Sequence, residues 1–121
     1  MKNSMSTLAL SLIALVALLH LYFLVLEMFL WTRPLGRKVF RMSPEKAEMT
    51  KVLAANQGLY NGFLVAGLVW SILAQRVDVA TFFLACVAVA GAYGAATVNK
   101  RIFYVQALPA IVALAVIWFV G

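Results

Sequence analysis

The sequence predicts an all-α integral membrane protein, a four-helix bundle with both termini outside the cytoplasm. Three observations predict it. The 121 residues are 65% hydrophobic and only 12% charged, with a mean hydropathy of +0.99; a soluble domain carries about 25% charged residues. Four apolar segments, at about 6–31, 52–75, 79–98 and 101–120, each approach the ~20 residues needed to cross a bilayer. The basic residues are also unevenly placed. Arg33, Arg37, Lys38, Arg41, Lys46 and Lys51 crowd the first connection against Glu45 and Glu48, and Lys100 and Arg101 sit in the third. The second connection has only Arg76 and Asp78, Lys2 is the lone side-chain charge at the start, and the C-terminus has no basic residue. Basic loops stay in the cytoplasm, so the first and third connections face inward. The whole of residues 1–121 reads as a single transmembrane domain with no room for a soluble catalytic one.

Each element has its own justification. The first apolar run, about 26 residues, exceeds the 7–15-residue core of a cleaved signal and is followed directly by Arg33, Arg37 and Lys38, so it reads as a retained helix. The stretch R-P-L-G-R-K-V-F-R-M interleaves charge with Val39, Phe40 and Met42. It suits an interfacial anchor on anionic lipid or, alternatively, recruitment of an anionic substrate; it is too short for a nucleic-acid partner. Ser43-Pro44-Glu45 supplies a cap hydroxyl, a proline at the first helical position and an acid at the positive dipole end, which predicts a long second helix starting there. The third helix is rich in Ala and Gly; Gly91 and Gly94 read as packing and the single cysteine, Cys86, as a small apolar residue. Pro109 removes one backbone donor from the fourth helix and can bend it. Trp31, Trp70 and Trp118 stand at span ends, as in an aromatic belt.

The second helix has three faces. Ala54, Gly58, Gly62 and Ala66 recur every four residues along a stripe that lets helix backbones approach. Asn56, Gln57, Tyr60 and Asn61 occupy an adjoining arc of roughly 140°. Leu59, Phe63 and Trp70 take the remaining side, suited to lipid or a subunit contact.

Nine polar side chains fall within the predicted spans: His20, Glu27, Asn56, Gln57, Tyr60, Asn61, Tyr93, Thr97 and Gln106. Such groups are costly in a membrane and mark sites. Counted from the cytoplasmic ends of their helices, Glu27, Asn56, Gln57, Tyr93 and Gln106 lie within roughly 5–8 Å of that surface; Tyr60, Asn61 and His20 lie at about 12–17 Å. The expectation is one polar cavity open to the cytoplasm, with Glu27 at its mouth and His20, Tyr60 and Asn61 at its floor. In that scheme Glu27, His20, Tyr60 and Asn61 are candidate catalytic residues. Asn56, Gln57, Tyr93 and Gln106 are candidate ligand contacts, and Gly58, Gly62 and Ala66 serve helix packing. Glu27, the only acid within a span, is either an acid or base or a partner of Arg33 or Lys51. His20 is a metal or haem ligand, a proton carrier or a hydrogen-bonded helix contact. No second His or Cys stands at metal-ligand spacing, so no protein-bound metal is expected.

The runs L-E-M-F-L-W-T-R-P-L-G-R-K-V-F and K-V-L-A-A-N-Q-G-L-Y-N-G-F-L closely resemble a bacterial family of small membrane proteins catalogued as domain of unknown function 1304. A-G-A-Y-G-A-A-T-V and V-Q-A-L-P-A are similar to its later helices. The resemblance covers nearly the whole chain and implies four helices in the bacterial inner membrane. Locally, A-N-Q-G-L-Y-N-G resembles a second-helix segment of styrene oxide isomerases, four-helix membrane enzymes that share a layout with proteins of eicosanoid and glutathione metabolism. Asn61 and Gly62 map onto that segment. The likeness implies a homotrimer with sites between subunits, and haem; the isomerases' haem-ligating histidine is replaced here by Ala55 or Asn56.

Three functions follow as expectations. A membrane-embedded enzyme or binding protein, isomerase- or transferase-like, would hold a small lipophilic ligand on Asn61, Tyr60 and Gln57 with Glu27 or His20 as acid or base. A proton-coupled transporter like the small multidrug resistance proteins would use Glu27, although that residue lies near one end of its helix. A structural or accessory subunit would use the polar groups for assembly alone.

Overall fold

The computed structural model describes residues 4–121, so Lys2 lies outside the described residues. The regular structure of the described residues is all helical, with no strand: α1 (Thr7–Met28), α2 (Pro34–Phe40), α3 (Pro44–Ala74), α4 (Val77–Thr97), a π-helical turn (Phe103–Ala107) and α5 (Leu108–Phe119). Helices α1, α3 and α4 are long and apolar enough to cross a membrane. The predicted fourth span is different. Its apolar helical stretch, Phe103–Phe119, is shorter and is interrupted by the π turn, so three long apolar helices stand where four uniform spans were expected.

The chain divides into two compact units, His20–Val65 and Met1–Leu19 with Ala66–Gly121. In the first, the expected basic loop is itself folded. Pro34 opens α2, where its missing N–H costs nothing. Gly36 is buried so closely under the Leu30 carbonyl that no Cβ would fit. Trp31 is not a free belt residue: its ring centroid lies 4.7 Å from that of Phe40, and its indole N–H donates to Thr50 Oγ1 at 3.0 Å. The hydroxyl of Thr50 in turn donates to the Lys46 carbonyl at 2.7 Å. Helix α2 ends with Arg41 in the left-handed region (φ 55°), the N–H groups of Arg41 and Met42 closing on the carbonyls of Lys38 and Arg37. Helix α3 then starts as expected: Ser43 Oγ accepts the Lys46 N–H at 3.1 Å, with Pro44 and Glu45 in the first turn. Its 31 residues run without a break for about 46 Å.

In the second unit, Ser6 Oγ caps α1 by accepting the Ala9 N–H at 3.1 Å. Helix α3 ends at Gln75, again left-handed (φ 53°). Here the side chain ties two segments together, since Gln75 Oε1 accepts the Met5 N–H at 2.9 Å. Arg76 and Asp78 form a two-pronged exposed ion pair that opens α4, and the carboxylate holds the Arg76 guanidinium above its ordinary range. Helix α4 packs on α5 and on the π turn. Gly91 sets that contact. A Cβ added there would lie 2.6 Å from Ala107 N and 2.9 Å from Ala107 Cα, so the two backbones touch. The π turn closes with the Leu108 N–H on the Phe103 carbonyl. It immediately precedes Pro109, whose ring would otherwise crowd the Val105 carbonyl and leave it without a donor. The expected proline effect is therefore a widened turn. Trp118 is exposed, with its indole N–H on Thr81 Oγ1 at 3.0 Å, and Trp70 is exposed on α3.

Candidate functional site

Within the unit His20–Val65, α1 and α3 meet through small residues and one polar pair. Gly58 is buried against α1: an added Cβ would stand 2.5 Å from Met28 Cγ, 3.2 Å from Glu27 Cβ and 3.3 Å from the Leu24 carbonyl oxygen. One turn on, a Cβ at Gly62 would meet Leu24 Cδ1 at 3.1 Å. Gly58 and Gly62 of the small-residue stripe therefore lie against α1, and Ala54 is buried. Ala66 is exposed and does not continue the contact.

The close approach at Gly58 brings Asn61, three residues later on α3, to Glu27 on α1. Asn61 Nδ2 donates to Glu27 Oε1 at 2.5 Å. Asn61 is buried and Glu27 half-buried. Asn61 supplies Glu27 with a donor of the kind that lipid would not offer a carboxyl on a helix long and apolar enough to cross a membrane. The alternative partners of Glu27 are not engaged with it: Lys51 pairs with Glu48 on its own helix. Among the described residues Asn61 is the hydrogen-bond partner of Glu27. An amide on one carboxyl oxygen fixes the group's orientation and leaves the second oxygen as a hydrogen-bonding or proton-transfer atom.

The remaining predicted residues are placed as follows. His20, two turns from Glu27 on α1, is fully buried, its ring edge-on to Phe23 at 5.6 Å between centroids. Asn56, Gln57 and Tyr60 belong to the same unit but are exposed; Tyr60 stacks edge-on against Phe63. They therefore do not close with Glu27 and Asn61 around a buried hollow, contrary to expectation. In the other unit, Tyr93 is exposed and borders a shallow apolar groove on α4 with Phe82, Cys86 and Val89. Thr97 gives its hydroxyl to the Tyr93 carbonyl one turn back, which satisfies it within its own helix. Gln106, in the π turn, is half-buried. The physical reason for the difference is azimuth. Counting residues from a helix end gives depth, whereas facing requires the rotation of each helix. Sequence reading also missed Thr50 and Gly36, whose contacts with Trp31 and Leu30 exist only once α2 folds back.

Haem, implied by the isomerase likeness, does not fit these residues. Ala55 and Asn56, at the place of the ligating histidine, offer no ligand for iron, and Asn56 is exposed. His20 is enclosed beside Phe23. Among the described residues no three His, Cys, Asp or Glu side chains are grouped to hold a metal ion.

Comparison with known proteins matches residues 14–118 to the family described as "Protein of unknown function (DUF1304)". The chain is also similar to the "Uncharacterized protein YpaA" of Lactococcus lactis subsp. lactis (strain IL1403), at 34% identity over 114 residues, covering 91% of this chain and 96% of the relative. No solved structure matches. The likeness to styrene oxide isomerases is not shown by these comparisons.

Proposed function

We propose that this chain, which belongs to the DUF1304 family, is a cytoplasmic-membrane protein that binds or converts a small lipophilic molecule at Glu27 and Asn61. In this reading the bilayer is crossed four times, Phe103–Phe119 being the fourth span, with both termini outside. The bias of basic residues toward the first and third connections supports that orientation. The observation that carries the function is the 2.5 Å hydrogen bond from Asn61 to Glu27 between two membrane-length helices. The carboxyl is held at a fixed point near one end of α1, where an amphiphile can enter from lipid and place a polar group against it. Asn61 orients Glu27, and Glu27 accepts or delivers the proton. Gln57 and Tyr60, on neighbouring positions of α3, supply further polar contacts at the rim.

The test separates a site from structural glue. Wild-type protein, Glu27→Gln and Asn61→Ala are purified in mild detergent, and bound molecules are identified by native mass spectrometry, with thermal shifts across a lipophilic panel. Glutamine keeps an oxygen for Asn61, so Glu27→Gln retains the fold. Loss of bound molecule or shift in Glu27→Gln, at unchanged melting temperature, supports the site. Absence of any bound molecule and any shift in the wild type, or equal retention in both variants, overturns it.

A further inference from the structure

Helix α3 carries two opposite stripes, each repeating every seven residues. Ala47, Ala54, Asn61 and Leu68 are the inner stripe, with exposures of 0%, 6%, 4% and 0%. On the far side lie Met49, Val52, Asn56, Leu59 and Phe63. Their spacing of three and four residues is that of the a and d positions of a coiled coil, Asn56 falling at an a position. All five are exposed: Met49 84%, Val52 76%, Leu59 47%, Phe63 55%, and Asn56 with them.

Lipid accounts for only part of this face. Helix α1 has 22 residues and a length of about 33 Å, which fills a hydrocarbon core of about 30 Å. Its last residue, Met28, is level with Gly58 of α3. Val52 and Met49 therefore stand about 9 and 14 Å past that end along α3, beyond the acyl chains. Large apolar side chains there face water or headgroups, and the amide of Asn56 faces outward beside them. We infer that this seam is a self-association surface, α3 packing in parallel against α3 of a second copy of this chain, with Asn56 level with its own counterpart.

The chemistry fits a second copy better than another occupant. An asparagine side chain is both donor and acceptor, so two of them at one level satisfy each other across the interface. A single asparagine at an a position fixes register. Copies inserted under the same charge bias share one orientation, which makes the pairing parallel. The small-residue stripe is already spent on α1 and does not compete for the partner. No ligand at Glu27 is needed for this association.

Single cysteines introduced into a Cys86→Ala background provide the test, in native membranes under mild oxidation. Met49→Cys, Val52→Cys and Asn56→Cys should form disulfide-linked dimers, whereas Lys51→Cys, exposed but off the seam, should not. Native mass spectrometry of the unmodified protein should show more than one copy. Cross-linking as strong at Lys51→Cys as at the three seam positions, or a monomer with no seam cross-links, overturns the proposal. In the latter case the seam lies in the headgroup layer. All four substituted positions are exposed, so folding is not at risk.

Discussion

Gly91→Ala is the most demanding test of the packing between α4 and the π turn. The added Cβ would sit 2.6 Å from Ala107 N, 2.8 Å from Ala107 Cβ and 2.9 Å from Ala107 Cα. Ordinary contact begins at 3.4 Å, so the backbones must part by as much as 3.4 − 2.6 = 0.8 Å. Two of the three neighbours are main-chain atoms, and no flexible side chain can yield in their place. Overpacking of this kind costs about 1–3 kcal/mol, and the rigid neighbours put this site toward the upper end. Replacing a mid-helix glycine by alanine returns roughly 1 kcal/mol of helix propensity. The net expectation is a loss of about 1–2 kcal/mol. Gly94→Ala is the matched control. Its Cβ meets a single methyl, Ile102 Cγ2, at 3.0 Å and no backbone atom, so a shift of a few tenths of an ångström suffices and the helix-propensity gain should bring the net change near zero. Equilibrium unfolding of both variants in mixed micelles gives the comparison. A Gly91→Ala protein as stable as the Gly94→Ala protein would refute the close approach of α4 to the π turn.

Two other substitutions probe the first unit. Gly58→Val drives three carbons toward Met28, Glu27 and the Leu24 carbonyl, so α3 must move away from α1 and the Asn61–Glu27 bond must lengthen or break. A loss of about 1–3 kcal/mol is expected, together with loss of any molecule that copurifies with the wild type; native mass spectrometry and unfolding measured on one preparation check both. Arg41→Gly removes a side chain from a left-handed backbone position where no side-chain hydrogen bond holds it, and should stabilise by about 0.5–1 kcal/mol. Gln75→Gly, at the same type of helix end, also loses the bond to the Met5 N–H and should show no such gain. Thermal unfolding of the two variants side by side tells them apart.

Membrane-length helices, the start of α3 and a close helix contact at Gly58 and Gly62 were all readable along the chain. Long, largely apolar runs mark α1, α3 and α4, because a segment able to cross a membrane must satisfy its backbone within itself. Ser43-Pro44-Glu45 determined the start of α3, because a cap is a local arrangement of neighbouring residues. The spacing of Gly58 and Gly62 marked a close helix contact before any partner was known.

Which helix those glycines touch, and what that contact brings together, was decided only by the tertiary structure. Glu27 and Asn61 were two of nine polar residues, expected at the mouth and the floor of one cavity; their direct pairing follows from the relative rotation and translation of α1 and α3. That rotation places Asn61 inward and Asn56, Gln57 and Tyr60 outward, although all four are close in sequence. The fold of α2 beneath Trp31 and the π turn before Pro109 were likewise invisible along the chain. Composition and periodicity describe one helix at a time, while a buried hydrogen bond or a backbone contact depends on the rotation and translation of two.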